Sequence, residues 1–562
     1  MSSPIQRPHT AVAIPLAASL LFVVAAAFAA GPASRGDAPD PQQRITTAGM
    51  LSDITALSAD SMGGRGPGTA GDRMARAYLA RRLKAIGFEP GGPGGSWEQT
   101  IPMVGLSLPG IGPWRFAGPG GEASFQWRED FVGGSGVQAP RVAIQDAEVV
   151  FVGYGMQAPE FQWDDFKGAD LKGKVLLVLN NDPDWDSTLF AGRKRLDSGR
   201  WDYKYETAAK QGAAAAIVLH TTPSAGYGWN VVARSWSGTL WDAPAGDEAR
   251  LQFKSWLTEA AARRLCALGG MDLDSLITSA HRRDFVPVPL GVRTSLAFDV
   301  KVEQGQTANV IGVLPGSDPR LRGEAVLFTA HHDHLGIGAP DSTGDRIHHG
   351  ALDNASGCAQ VLGLAEAFAA TKPHPRRSIV ALFTAGEEQN LLGARYYAEH
   401  PTFTLGRIAA DLNFDGANVW GRTADVAVIG KGKSDLEDLL IAAARGQRRR
   451  VVDDPEPDKG YYYRADQLSF ARVGVPALYF GSGQDYIGRP PGWGEQKDAE
   501  FLRLRYHQPG DRILPDWDLS GAIEDTRLGY VVGLGVANGE KLPAWYPGDE
   551  FEVVRKKALE ER

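Results

Sequence analysis

The sequence predicts an α/β protein whose central sheet is mostly parallel, with helices on both faces, and three observations lead to this prediction. From Thr307 onward, apolar runs typical of buried strands alternate with segments of helical apolar spacing. Residues 101–300 differ: short β-like runs lie among many Gly, Pro and Trp residues, which predicts an inserted β-rich domain. The 562 residues, 43% of them hydrophobic, are enough for two such domains.

The first 30 residues have the pattern of an export signal. Arg7 precedes an apolar run from Ala11 to Ala30, which ends in small residues and is followed by a Pro/Gly-rich stretch. We expect cleavage after Ala29 and therefore a periplasmic or extracellular protein. The run is also long enough to cross a bilayer, so an uncleaved N-terminal membrane anchor is the alternative. No cysteine follows the run, which argues against a lipoprotein.

The net charge and the cysteine content indicate which partners and cross-links to expect. The formal net charge of −8 argues against nucleic acid as a partner. The only cysteines, Cys266 and Cys358, fall in different predicted domains. We expect both to be small buried hydrophobic residues rather than a disulfide, although an oxidising compartment would permit one.

Residues 45–100 are assigned to the N-terminal part of the main domain. Apolar residues at helical spacing from Met74 to Ile86, followed by Gly87, predict an amphipathic helix there. Residues 101–300 contain one helix-like stretch, "YETAAKQGAAAAIVLH", and no cluster of His and acidic residues. The insert is therefore expected to lack catalytic groups of its own.

The main domain is expected to span residues 301–548. Helices are predicted from about Gly357 to Ala370 and from about Gln389 to Ala398, between the strand-like runs "ANVIGVLPG", "EAVLFTA", "SIVALFTA", "RIAADLNF" and "VPALYF". In such sheets ligands collect beyond the carboxyl ends of the strands. Residues 549–562 are predicted to be a charged tail that forms a solvated helix.

Histidines concentrate after one of these strands. Five of the eleven histidines lie between His331 and His349, directly after "EAVLF". In the pair His331-x-Asp333, the imidazole can bind a metal ion and the carboxylate can orient the ring. An isolated pair of this kind is more typical of a polar loop, so the motif has weight only as part of a set.

Acidic residues in two further segments are candidates for the same metal site. Asp353, in "GALDNASG", can bridge two divalent ions with its two oxygens, although alone it would be taken for a helix cap. The adjacent Glu387 and Glu388 repel each other unless cations lie beside them; alternatively, they are an exposed helix start. We expect Glu388 to bind an ion and Glu387 to act on the water between the ions.

Two more residues give each ion three ligands. Asp415 ends "ADLNFD", and His507 lies in "LRYHQPGDR" beside Tyr506. The expected sets are His331, Asp353 and Asp415 for one ion and Asp353, Glu388 and His507 for the other. Three protein ligands leave a position for water or substrate, as in catalytic zinc sites. Manganese or cobalt can occupy the same geometry.

The ordered series "AHHDHLG", "GALDNASG", "TAGEEQNLLGA", "LNFDG" and "YHQPGD" resembles the dizinc aminopeptidase family, which includes secreted bacterial aminopeptidases, glutamate carboxypeptidase, glutaminyl cyclases and the transferrin receptor. The stretch "VFVGYGMQAPEFQWDDFKGADLKGKVLLVLNNDP" is similar to the protease-associated domain that such proteins often contain. The resemblance implies two zinc ions bound by His331, Asp353, Glu388, Asp415 and His507.

For activity, the resemblance implies peptide hydrolysis by a hydroxide that bridges the two zinc ions. Glu387 would be the general base, Asp333 would support His331, and Tyr506 could donate to the oxyanion. The sequence departs from the family at "RADQLSF", residues 464–470, where relatives commonly have Ser-Asp-His. This departure concerns the substrate pocket rather than the metal ligands.

Aminopeptidase activity on peptide substrates is the expected function, and several alternatives stay open. A carboxypeptidase or dipeptidase of the same fold would need a cation for the terminal carboxylate, and Arg464 is the candidate. A glutaminyl cyclase would keep one zinc ion, and a receptor-like binding protein would lack ligands or the base. The full set of candidate residues argues against both. The sequence gives no oligomeric state.

Overall fold

The computed structural model describes residues 40–186, 189–236 and 238–562, without the side chain of Glu160. The predicted export signal lies outside these residues. Residues 41–562 form one compact unit. A search of the described helices for membrane-spanning length and apolarity found no candidate.

The described residues form fourteen α-helices, which are numbered along the chain. They are α1 (Thr47–Leu57), α2 (Ala70–Ile86), α3 (Trp201–Lys210), α4 (Thr222–Ala225), α5 (Trp229–Ser235), α6 (Glu259–Leu268), α7 (Leu273–Ala280), α8 (Gly357–Ala370), α9 (Leu392–Glu399), α10 (Leu436–Gly446), α11 (Gln467–Arg472), α12 (Trp493–Leu504), α13 (Ser520–Asn538) and α14 (Glu552–Glu560).

The same residues form twenty strands in two large sheets and one small ribbon. They are β1 (Glu89–Pro90), β2 (Glu98–Ser107), β3 (Trp114–Gly118), β4 (Gly121–Phe125), β5 (Phe131–Ser135), β6 (Arg141–Phe151), β7 (Gln157–Ala158), β8 (Trp163–Asp164), β9 (Val175–Leu179), β10 (Ala215–His220), β11 (Leu240–Asp242), β12 (Phe253–Thr258), β13 (Val288–Asp299), β14 (Lys301–Leu314), β15 (Ala325–His331), β16 (Ser378–Thr384), β17 (Ile408–Asn413), β18 (Asp425–Val428), β19 (Arg450–Asp453) and β20 (Ala477–Ser482).

The first sheet has the order β11-β2-β14-β16-β15-β17-β20-β18-β19, with β1 paired to β14. Its four central strands, β16, β15, β17 and β20, are parallel. Towards the edges, β14 pairs antiparallel with both β16 and β2, and β18 pairs antiparallel with β20. The predicted α/β class is confirmed, with the parallel strands concentrated at the centre.

Helices cover both faces of this sheet because its central strands are apolar on both sides. In β15, Val326 and Phe328 point to one face, where they pack with α1, α2, α8, α10 and α13. Leu327 points to the other face and packs with Tyr397 of α9 and Phe470 of α11. Successive side chains of a strand alternate between faces, so a strand buried on both sides appears as a continuous apolar run.

The second sheet is built from residues 114–299 and has the order β4-β3-β13-β6-β9-β10-β12-β5. Helices α6 and α7 pack on one face and α3 and α5 on the other. The single helix-like stretch of the sequence analysis divides into α3 and β10. Gly212, with φ of 73°, ends the helix, and the fully buried run from Ala215 to His220 forms the strand.

The second sheet is joined to the first by β2 and β14, which precede and follow it along the chain. Strand β2 pairs with β14 in the first sheet, and only Val300 separates β13 from β14. A short strand from within the insert, β11, returns to pair with β2. The insert therefore contributes backbone to the edge of the first sheet.

Two smaller predictions have different outcomes. The C-terminal tail forms helix α14, and most of its residues are exposed as predicted, but one side packs on the protein through the buried Arg555 and Ala558. A Cβ atom at Gly474 would lie 2.6 Å from the backbone nitrogen of Arg555, which shows how closely the helix packs. Cys266 and Cys358 are both buried and free, as predicted.

Candidate metal centre

The parallel strands bring the predicted site residues to one edge of the sheet. His331 is the last residue of β15 and is paired with Thr384, the last residue of β16. Asn413, which ends β17, is paired with Thr329 of β15. The residues that follow these strands, among them Glu387 and Asp415, therefore emerge side by side at the carboxyl edge.

Asp353 lies in the irregular turn before α8, and a second carboxylate holds this turn in place. Asp511 accepts hydrogen bonds from the backbone N–H groups of Leu352 and Asp353, each at 3.0 Å. The turn begins at Gly350, whose φ is 56°. A Cβ atom there would lie 2.2 Å from the carbonyl oxygen of Asp353, so the position requires glycine.

A buried arginine connects the segments around the site. The Arg65 guanidinium donates to the carbonyl oxygens of His332 at 2.7 Å, His349 at 2.7 Å and Gly350 at 2.9 Å. His332 itself lies 3.1 Å from the carboxylate of Asp72 on α2. The sequence analysis missed Arg65 and Asp511, because their partners are distant in the chain.

The first cluster of possible ligands contains His331, Asp353 and Asp415. Nε2 of His331 is 3.3 Å from Oδ1 of Asp353 and 3.3 Å from Oδ1 of Asp415. The His331 ring is buried, whereas the Asp353 and Asp415 carboxylates are partly accessible. This is the set that the sequence analysis expected for one ion.

The second cluster contains Asp353 again, with Glu388, His507 and an additional histidine. Nε2 of His507 is 3.1 Å from Oε2 of Glu388 and 3.5 Å from Oδ2 of Asp353. Nδ1 of His334 is 2.7 Å from Oε1 of Glu388, and His334, Asp353 and Glu388 also form a possible metal-binding group. The sequence analysis gave His334 no role, although its spacing after His331 was visible.

The spacing of these atoms fits metal ions. Two ligand atoms bound tetrahedrally to one zinc ion, each about 2.0–2.1 Å from it, lie about 3.3 Å apart. The separations in the two clusters range from 2.7 to 3.5 Å. Oε1 of Glu388 is buried and lacks a hydrogen-bond partner, which an ion would supply. Imidazole and carboxylate ligands suit zinc, and Asp353 faces both clusters.

Asp333 and Glu387 lie beside the first cluster. Oδ1 of Asp333 accepts the backbone N–H of Glu387 at 3.1 Å and is 3.7 Å from Nδ1 of His331. The closer neighbour of that nitrogen is the Asp333 carbonyl oxygen, at 3.3 Å. Asp333 thus positions the backbone of Glu387 as well as the imidazole.

Burial and neighbouring charges shift the pKa values of Glu387 and Glu388 in opposite directions. Burial raises the pKa of Glu387 well above its ordinary value, and the charges of Asp415 and Glu388 raise it further, against an opposing effect of His331. Burial also raises the pKa of Glu388, but the charge of His507 and the close contact with His334 together outweigh this effect, and the pKa falls to about 2. Glu388 is therefore an anion, as a metal ligand needs to be, and Glu387 is suited to hold a proton.

Tyr506 and the insert both contact His507. The Tyr506 ring stacks on the His507 ring, with centroids 3.9 Å apart. Oγ of Ser235, at the end of α5 in the insert, is 3.4 Å from Nδ1 of His507. The backbone N–H of Trp241 donates to Gln389, two residues after Glu387. The insert thus contacts the turns that carry the site.

The segment that departs from the family pattern lies next to the centre. Asp466 accepts a hydrogen bond from the hydroxyl of Thr384, and Gln467 accepts one from Asn413 at 2.7 Å. Arg464 donates to the carbonyl oxygen of Ala225 in the insert at 2.6 Å, and its guanidinium packs over the Tyr227 ring. The segment therefore supports strand ends and contacts the insert.

Comparison with known proteins places this chain beside peptidases. Residues 309–531 match the sequence model described as peptidase family M28. The vacuolar membrane protease of Coccidioides posadasii (strain C735) is 36% identical over 218 residues, which are 32% of this chain and 20% of that protein. The protein of the same name from Emericella nidulans is 37% identical over 110 residues, 19% of this chain and 10% of that protein.

Similar solved structures include two bacterial aminopeptidases. The aminopeptidase from Aneurinibacillus sp. strain AM-1 has 18% identity and a TM-score of 0.49, covering 91% of this chain and 96% of that one. The zinc aminopeptidase from Bacillus subtilis has 16% identity and a TM-score of 0.46, covering 92% and 98%. The two curated relatives named above, in contrast, are matched over 10% and 20% of their length.

Proposed function

We propose, on the premise that residues 309–531 form a domain of peptidase family M28, that this protein is a dizinc metallo-exopeptidase that removes residues from the N-terminus of peptides. One observation carries the proposal. Asp353 joins two clusters of metal-ligand type, and the pKa of the neighbouring Glu387 carboxyl group is shifted by the charges of His331, Asp415 and Glu388.

In this proposal, zinc is held in the first cluster by His331, Asp353 and Asp415, and in the second by ligands that include Asp353, Glu388 and His507. Bound zinc lowers the pKa of water from 15.7 to about 7 and polarises the scissile carbonyl group. The protein contributes fixed ligand positions, because Asp511 and Arg65 hold the turn that carries Asp353.

Glu387 would transfer the proton during hydrolysis. Its carboxylate takes a proton from the attacking water and then gives that proton to the amine nitrogen as the C–N bond breaks. The raised pKa favours the uptake of this proton, because a carboxylate holds a proton more tightly as its pKa rises. The hydrogen bond from the Glu387 backbone to Asp333 holds the residue in register.

Tyr506 is proposed to donate a hydrogen bond to the oxygen that gains charge in the transition state. Burial raises the pKa of its hydroxyl well above the ordinary value, so the group stays protonated and able to donate. We expect Tyr506→Phe to lower kcat by about 10²–10³-fold with little change in KM and in zinc content. Steady-state kinetics with Tyr546→Phe as control would test this; equal kcat for the two variants would exclude the role.

The preference for free N-termini can be tested directly on mixed peptides. We expect stepwise loss of residues from peptides with free N-termini, none from N-acetylated copies, and no reaction after treatment with a chelator. Mass spectrometry of the peptides after incubation with residues 31–562 gives the result and the side-chain preference together. Restoring zinc to the chelated protein is expected to restore cleavage.

Other outcomes would identify a different function. Loss of residues from the C-terminus would contradict the aminopeptidase proposal and point to Arg464 as the residue that binds the terminal carboxylate. Arg464 has no carboxylate within 4.0 Å among the described residues and lies against Tyr227 of the insert. Loss of ammonia from N-terminal glutamine without cleavage would instead indicate a cyclase. A zinc-loaded protein that changes none of the peptides would favour a binding role.

We further propose that residues 1–30 direct export and that the second sheet is an inserted protease-associated-type domain. The support for the latter is its separate core and its connection to the first sheet through β2 and β14. Its contacts to His507 and Gln389 suggest that it limits access to the centre.

A further inference from the structure

We infer that His334 is a further metal ligand, so that the second ion is held by four residues and the first by three. The four are His334, Asp353, Glu388 and His507. This inference rests on the proposed dizinc function but concerns how the ions are bound, and it has consequences for which ion meets the substrate.

The environment of His334 is the first argument. The side chain is fully buried, and neither Nδ1 nor Nε2 has a hydrogen-bond partner among the described residues. Buried imidazole nitrogens without partners are rare, because each loses its hydrogen bonds to water and gains nothing in return. An ion bound at Nδ1 would remove one of these deficits.

The direction of the ring is the second argument. Nδ1 of His334 lies 2.7 Å from Oε1 of Glu388, but the ring is not oriented for a well-aligned hydrogen bond to this oxygen. Atoms that approach closely without pointing at each other are expected when both point at a third atom. Asp353 supplies a third oxygen within 4.8 Å of both.

The other oxygen of Glu388 extends the cluster to His507. Oε2 is 3.1 Å from Nε2 of His507, while Oε1 faces His334. The two imidazole rings are 5.8 Å apart between centroids and inclined at 76°, so they approach the carboxylate from different sides. His334 thus forms a possible metal-binding group with Asp353 and Glu388, and His507 contacts the same two carboxylates.

The ring of His334 is also fixed in place before any ion binds. Gly350 packs so closely that a Cβ atom there would be 2.7 Å from Cγ of His334. The backbone N–H of His334 donates to the carbonyl oxygen of Arg65 at 3.4 Å. A ligand whose position is set by packing needs little reorganisation on binding metal.

A four-ligand second site has a chemical consequence. Zinc sites with four protein ligands are closed, whereas sites with three keep a position for water or substrate. The position for water or substrate would therefore lie beside His331, Asp353 and Asp415.

The first test uses the unaltered full-length protein loaded with two zinc ions. X-ray absorption at the zinc edge counts imidazoles per ion: three histidines on two ions give about 1.5, and two histidines give about 1. We expect the higher number. A value near 1 would overturn the inference while leaving the dizinc proposal intact, and a protein that binds no zinc would overturn both.

Variants provide an independent readout. His334→Ala and the bulkier His334→Gln are expected to lower the affinity for one of the two zinc ions by more than the roughly 10–100-fold that loss of a supporting partner costs. Chelator competition and zinc content measure this change. His348→Ala is the matched control, since its ring lies 6.3 Å from that of His334 but belongs to neither cluster.

The outcomes of the variant test are distinct. Two tightly bound ions in both His334 variants would show that the residue only fills space. Equal weakening in His348→Ala would show a general packing effect and also contradict the inference. Circular dichroism identifies a variant that fails to fold, in which case the count of imidazoles in the unaltered protein decides.

Discussion

Glu387→Gln is expected to keep both metal ions and to lower kcat at least about a thousandfold, close to 4 kcal/mol of transition-state stabilisation. Glutamine preserves the size of the side chain and the backbone hydrogen bond to Asp333, but its amide cannot take a proton from water. Zinc content and steady-state kinetics on the same preparation test both halves of the expectation.

The matched control for this substitution is Glu399→Gln. It makes the same chemical change at the exposed end of α9, the helix that follows the Glu387 turn. Full activity is expected in this control. If Glu387→Gln loses its zinc together with its activity, the residue acts in metal binding; if it keeps its activity, another group transfers the proton.

Asp353→Ala is expected to lower zinc content at both sites, which distinguishes a shared ligand from one that belongs to a single ion. Its two oxygens face different clusters: Oδ1 lies 3.3 Å from His331 and Oδ2 lies 3.5 Å from His507. Two cations at close range repel each other strongly unless an anion lies between them. We expect activity to fall with the metal, by more than about a hundredfold.

Metal analysis after dialysis against trace zinc measures this result, with Asp516→Ala, an exposed aspartate, as control. Loss of a single ion would assign Asp353 to one site only. Unchanged zinc stoichiometry would contradict its proposed bridging position altogether. Comparing Asp353→Ala with His334→Ala separates the two sites, because only the former should affect both ions.

Much of the catalytic sheet could be predicted from local patterns. Helix α8 has the predicted bounds, Gly357–Ala370, and the strands ending at His331 and Thr384 lie where their apolar runs indicated. These elements are buried on both sides or along one stripe, and burial leaves a periodic record in the sequence. The insert was predicted less well, since its short helices alternate with strands of similar composition.

The candidate site likewise combines residues whose proximity could be predicted from local patterns with contacts that could not. His331 and Asp415 follow recognisable strand ends, so their proximity could be anticipated from the parallel arrangement. The partner of Asp353 could not: Asp511 lies 158 residues further along the chain and contacts its backbone. Ser235 reaches His507 across 272 residues. Such contacts depend on how distant segments of the chain pack, which no local periodicity records.

The sequence by itself determined which residue types stand at the ends of the central strands, and hence the metal-ligand character of the centre. Only the tertiary structure placed His334 against Glu388 and the insert against His507. The physical reason is that a strand and its following loop are specified by nearby residues. The direction of a buried side chain is specified instead by everything that packs around it, here including Gly350 and Arg65.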